Sequence, residues 1–146
     1  MKIVVKHAPI YKFKATNEGG NEVMMDASPN IGGEGTGMRP MEMLLAGLGG
    51  CSGIDVVSIL KKKKQDFTNF EMEITGDRDS SEVPSLYKKI HVDFYFEGDN
   101  INHDKINQAV DLSIQKYCSV AKTLEKSAVI TYSIFINKNE IQRLSV

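Results

Sequence analysis

The residues best suited to chemistry are the two cysteines, Cys51 and Cys118. They are far apart in the chain, with no Cys-x-x-Cys spacing. Two thiols brought together can cycle between dithiol and disulfide, and one must then ionise, which calls for a nearby cation or helix dipole to lower its pKa. Cys51 follows Gly49-Gly50 inside a helical stretch. No dipole end is available there, so a basic side chain must be supplied from elsewhere. Cys118 lies in Gln115-Lys116-Tyr117-Cys118-Ser119-Val120, at the end of a second helical pattern. Taken singly, each cysteine reads as inert filler, because free cysteine is among the most buried residue types. Against that stands their being the only two in the chain, each on an apolar helical segment able to meet the other. Asp55 is four residues after Cys51 and shares its helical face. A buried acid beside a thiol raises the thiol pKa, so Asp55 is read as a hydrogen-bonded structural residue.

Other chemistries find less support. A zinc site wants four Cys/His ligands at characteristic spacing, whereas His7, His91 and His103 are scattered; no metal and no organic cofactor is expected. A Cys–His hydrolase would need His91 or His103 placed by the fold, and nothing in their local sequence supports it. The run Gly32-Gly33-Glu34-Gly35-Thr36-Gly37 misses the third glycine of a dinucleotide fingerprint and has no Gly-Lys-Ser/Thr. It is expected to be a hinge or dimer-contact loop, since so glycine-rich a run is entropically costly to order unless something packs on it.

At 146 residues the chain is long enough for about one domain. Its 41% apolar and 25% charged residues are ordinary for a globular protein that needs no disulfide or metal to hold its core. Eighteen Lys and Arg against nineteen Asp and Glu, a net charge of −1, argue against a large nucleic-acid surface. Two cysteines are too few for a disulfide-stapled secreted domain. The longest largely uncharged stretch, Met43 to Ile54, contains four glycines and is too short to span a membrane. The N-terminus lacks a signal-peptide hydrophobic region. A cytoplasmic protein with reduced thiols and no membrane partner is expected.

The elements that must position the cysteines read as an α+β domain. Residues 1–38 are expected to hold an N-terminal hairpin, read from the apolar run Ile3-Val4-Val5, from Tyr11, Phe13 and Ala15 alternating against lysines and threonine, and from a return strand Glu22 to Asp26 after the turn Glu18-Gly19-Gly20-Asn21, followed by the Gly-rich loop. Residues 39–65 read as one long helix opened by Pro40, apolar on nearly all faces over its first half, and closed by Lys61 to Lys64, which complement the macrodipole. Gly47, Gly49 and Gly50 are placed to permit close approach of another backbone. Residues 67–137 read as two strands, a second helix from Asn102 or His103 to Tyr117, a short helix Val120 to Lys126, and a closing strand Val129 to Ile136. Residues 138–146 are expected to be a polar-leaning tail.

Pro40-Met41-Glu42-Met43-Leu44-Leu45-Ala46-Gly47-Leu48-Gly49-Gly50-Cys51, continued by Ile54-Asp55-Val56-Val57-Ser58-Ile59-Leu60-Lys61-Lys62-Lys63, resembles the central helix of the OsmC/Ohr family, the osmotically inducible and organic hydroperoxide resistance proteins. Ala109-Val110, Leu112-Ser113 and Lys116-Tyr117-Cys118-Ser119-Val120 resemble its second cysteine motif. The resemblance implies antiparallel sheets wrapped around two long central helices of an intertwined homodimer. It also implies a thiol peroxidase, in which Cys51 attacks an organic hydroperoxide, Cys118 resolves the sulfenic acid as a disulfide, and an external thiol or dithiol restores both. In the family pattern an N-terminal Arg pairs with the thiolate, and a Glu directly after the helix-opening Pro positions it. Here Met41 follows Pro40 and the acid is Glu42, which regular helical rotation puts on the face opposite Cys51. Of Arg39, Arg78 and Arg143, Arg39 is the candidate activator, acting across the dimer, with Lys12 or Lys14 as substitutes that lack its bidentate fork. The alternative is a non-enzymatic, stress-related dimer, serving as a redox sensor or small-ligand binder on the same scaffold.

Overall fold

The computed structural model describes residues 1–145. The chain divides into two compact units, Met1–Leu44 and Leu45–Val146. In the first, strands β1 (Ile3–Ala8), β2 (Lys12–Asn17) and β3 (Glu22–Met25) form an antiparallel meander. The three strand runs of the N-terminal segment pair in this meander, with Val5 opposite Ala15 and Ala15 opposite Val23.

The Gly-rich segment that follows is an ordered loop built on one carboxylate. Asp26 is 2% exposed. Its Oδ1 accepts the Ala27 N–H, and its Oδ2 accepts the N–H groups of Glu34 and Thr36 and the Thr36 hydroxyl. Burial raises the Asp26 pKa, but these hydrogen bonds outweigh it and hold the carboxyl below its ordinary value. Gly33 is required for the loop to close: a Cβ there would lie 2.0 Å from the Ala27 carbonyl oxygen.

Helix α1 (Pro40–Lys62) begins in the first unit and runs into the second. Pro40 stands at its first turn, where the missing N–H costs nothing, and Lys61 and Lys62 face the negative end of its dipole. Lys64, at φ 50°, turns the chain out of the helix. Leu48, Val56 and Leu60 are buried, so α1 is a core helix. It is nevertheless long and apolar enough to cross a membrane by length and composition; the expectation drawn from Met43 to Ile54 considered too short a stretch.

The second unit is a four-stranded sheet in the order β4 (Asn69–Arg78), β5 (Tyr87–Glu97), β6 (Val129–Ile136), β7 (Asn139–Ser145). Alternation puts Ile90, Val92, Phe94 and Phe96 of β5, and Ile130, Tyr132, Ile134 and Ile136 of β6, into the core. Phe70 stacks on Phe96 with ring centroids 4.5 Å apart. The helix lies close to β4 through two of its glycines: Cβ atoms at Gly49 and Gly53 would come within 2.9 Å of Ile74 and 2.8 Å of Met72. Within the chain, their neighbours are side chains of β4. Gly47 and Gly50 meet nothing within 4 Å.

Two details depart from expectation. β5 and β6 pair in parallel, whereas an all-antiparallel arrangement was expected. Their connection runs through helices, which carry the chain back to the end of the sheet at which β5 began. The tail is strand β7, paired antiparallel with β6; Val146 lies outside the described residues. The turn between them, Asn137-Lys138, has both residues at positive φ. Asn tolerates this conformation, Lys is an unusual second member, and the Asn-Gly signature of such turns is missing. The Asn137 side chain fixes the turn by accepting the Gly98 N–H and donating to the Gly98 carbonyl.

Candidate active site

The second cysteine is delivered by an irregular helix. α2 (His103–Leu112) is capped by Asn102, whose side-chain oxygen accepts the Lys105 N–H at 3.0 Å. Its apolar face, Ile106, Ala109 and Val110, is buried. The chain does not continue as α-helix to Tyr117. Residues 113–117 widen into a π turn, closed by the Cys118 N–H donating to the Ser113 carbonyl at 2.8 Å. Such turns recur at functional sites because they re-aim the residue that follows. Cys118 then caps α3 (Ser119–Leu124), its Sγ accepting the Ala121 N–H at 3.3 Å.

One buried serine ties this turn to α1 beside Cys51, and a second bonds back within the helix. The Ser113 hydroxyl donates to the Ser52 carbonyl at 3.0 Å, and the Ser52 hydroxyl donates to the Leu48 carbonyl at 2.8 Å. As a result Cys51 Sγ, Cys118 Sγ and a carboxylate oxygen of Asp55 all lie within 4.8 Å of one another. Both cysteines are free thiols; Cys51 is half-buried and Cys118 buried. Burial pushes the Cys118 thiol up to about 11. A hydrogen bond and charge interaction with Cys51 add to this shift, and the backbone N–H groups of Ala121 and Val120 oppose it without offsetting it. Cys118 is therefore a protonated thiol at neutral pH.

Asp55 corrects the sequence reading. It is expected to be hydrogen-bonded, yet its Oδ2 is buried with no hydrogen-bond partner among the described residues. The four-residue spacing from Cys51 was the signal of its place in the site. Ser52 and Ser113 carried no such signal, because their role depends on the π turn.

Arg39 and Glu42 lie in the first unit and are joined to each other. The Arg39 backbone N–H donates to Glu42 Oε2 at 2.8 Å, and its guanidinium donates to Oε1 through Nε at 2.7 Å and through Nη2. Arg39 in turn holds the Glu42 carboxyl below its ordinary pKa, chiefly through these side-chain hydrogen bonds. Lys12 pairs with Glu34, and Lys14 with Glu22 at 2.9 Å.

A family model described as OsmC-like protein matches residues 33–133. Protein YhfA of Escherichia coli K12 is 41% identical over 133 residues, covering 91% of this chain and 96% of YhfA. A hypothetical protein from Aquifex aeolicus VF5 superposes with a TM-score of 0.77 at 30% identity, over 93% of this chain and 96% of its own. An organic hydroperoxide resistance protein OsmC from Legionella pneumophila shares the fold at a TM-score of 0.64 and 13% identity, covering 93% of this chain and 96% of that one.

Proposed function

The chain belongs to the OsmC-like protein family, and from that premise we propose that it is a thiol-dependent peroxidase reducing organic hydroperoxides. Family and fold support a redox or peroxidase-related role. The observation that carries the finer reading is the approach of Cys51 and Cys118 with Cys118 held as the thiol. A resolving cysteine must stay protonated and close while its partner reacts. In the first step the Cys51 thiolate attacks the O–O bond of ROOH. The S–O bond forms, the O–O bond breaks, and the alkoxide takes a proton to leave as ROH. In the second, Cys118 attacks the sulfenic acid, giving the disulfide and water. An external thiol or dithiol supplies the two electrons that restore both thiols. The cycle calls for no metal or organic cofactor.

Arg39 and Glu42 enter this proposal as the activating pair, on the family resemblance. Glu42 grips the guanidinium through Nε and Nη2, a contact that fixes the direction of the charge. The proposed assembly is a homodimer. In its favour, α1 leaves Gly47, Gly50 and Ile54 uncovered, with Ile54 71% exposed, and β1 leaves Ile3, Val4 and Val5 exposed. Surface this apolar is commonly an interface. A cytoplasmic location suits a cycle that begins from reduced thiols.

Free thiols counted after adding cumene hydroperoxide to the reduced protein test the reading. Two thiols lost and one alcohol formed per chain are expected, with Cys118→Ser halting at a sulfenic acid trapped by dimedone. Two persistent thiols beside untouched peroxide would sink it.

A further inference from the structure

The unpartnered oxygen of Asp55 is the feature that the peroxidase cycle does not use. A buried carboxylate oxygen without a donor is costly, and such exceptions in a folded protein call for an explanation. A carboxylate oxygen of the same side chain lies within 4.8 Å of two sulfurs. A soft divalent cation selects this donor set of two thiolates and one carboxylate. Tetrahedral zinc holds two thiolate sulfurs about 3.8 Å apart and a thiolate and carboxylate oxygen about 3.5 Å apart. The three donors already lie within 4.8 Å of one another, so closure needs a contraction of about 1 Å. Cys51 and Asp55 are one turn apart on α1 and move together, while Cys118 sits on the cap between two helices. The half-buried side of Cys51 leaves room for a fourth ligand, such as water.

We propose that Cys51, Asp55 and Cys118 form a binding site for a thiophilic divalent cation, zinc being the natural occupant, with one position open. Binding replaces the two thiol protons by the metal: Zn²⁺ plus two thiols and one carboxylate gives a bound complex of net charge −1 and two released protons. The metal uses the sulfurs that the peroxide would oxidise, so occupancy and turnover exclude each other. The site shares its sulfurs with the proposed peroxidase but does not rest on that activity.

The test titrates reduced, full-length protein with zinc against a chromophoric chelator, with cobalt as a spectroscopic substitute. One zinc per chain is expected, and cobalt should give a tetrahedral spectrum with sulfur charge-transfer bands. Asp55→Asn should weaken binding about tenfold while leaving circular dichroism and thiol count unchanged, since second ligand shells and single donors act on this scale. Cys51→Ser and the protein oxidised to its disulfide should lose binding. No binding at micromolar zinc, a ratio other than one per chain, or wild-type affinity in Asp55→Asn would each overturn the proposal. Binding without peroxide reduction would sink the peroxidase and leave the metal site standing.

Discussion

Two aspartates with buried carboxylate oxygens have opposite surroundings. Asp26 receives four hydrogen bonds and organises the loop after β3. Asp55 keeps one oxygen with no donor among the described residues, and a carboxylate oxygen of its side chain lies within 4.8 Å of two thiols. A satisfied carboxylate is a structural device, because removing it orphans the groups that pointed at it. An unsatisfied one contributes nothing of that kind.

The largest effect that separates the two is on stability. Asp26→Asn puts an amide donor either against the Glu34 and Thr36 N–H groups or, flipped, against the Ala27 N–H. A lowered melting temperature and loss of hydrogen-exchange protection at those amides are expected. Asp55→Asn should leave stability unchanged or raise it by up to about 1 kcal/mol. Equal losses in the two variants would erase the distinction. Acid sharpens it further. The folded Asp26 pKa is depressed, so its contribution is complete above the ordinary carboxylate pKa and is lost as pH falls through the folded value. Asp26→Asn should therefore flatten the acid limb of the stability profile.

A smaller contrast lies within the site. With Cys118 raised to about 11 and buried, iodoacetamide at pH 7 should label Cys51 roughly tenfold or more faster than Cys118. Peptide mapping over time reads the order. Equal labelling would remove the ground for calling Cys118 the resolving thiol.

What was legible in the sequence follows the range of the interactions involved. α1 and the β5 and β6 strands were visible because apolar spacing is a local signal that burial then uses. The two cysteines were visible by type and through the family resemblance. Asp55 was placed on the correct face but given the wrong environment, because whether a carboxylate finds a donor depends on elements distant in the chain. The π turn at 113–117 and the serine tie to α1 were hidden for the same reason. β7 was missed because its entry turn uses Asn137-Lys138 in place of a glycine signature.

The parallel pairing of β5 with β6 also bears on when the site comes into being. Cys118 lies in the crossover between these strands, and Cys51 on a helix that precedes both. Closing a long connection costs chain entropy before its contacts repay it, so parallel crossovers form late in folding. The nascent chain is thus expected to carry two separated cysteines, and the close pair to exist only in the finished fold. Pulsed alkylation during refolding should find Cys118 becoming protected in the same phase as the β6 amides. Timing of this kind would guard an unfinished chain against premature oxidation.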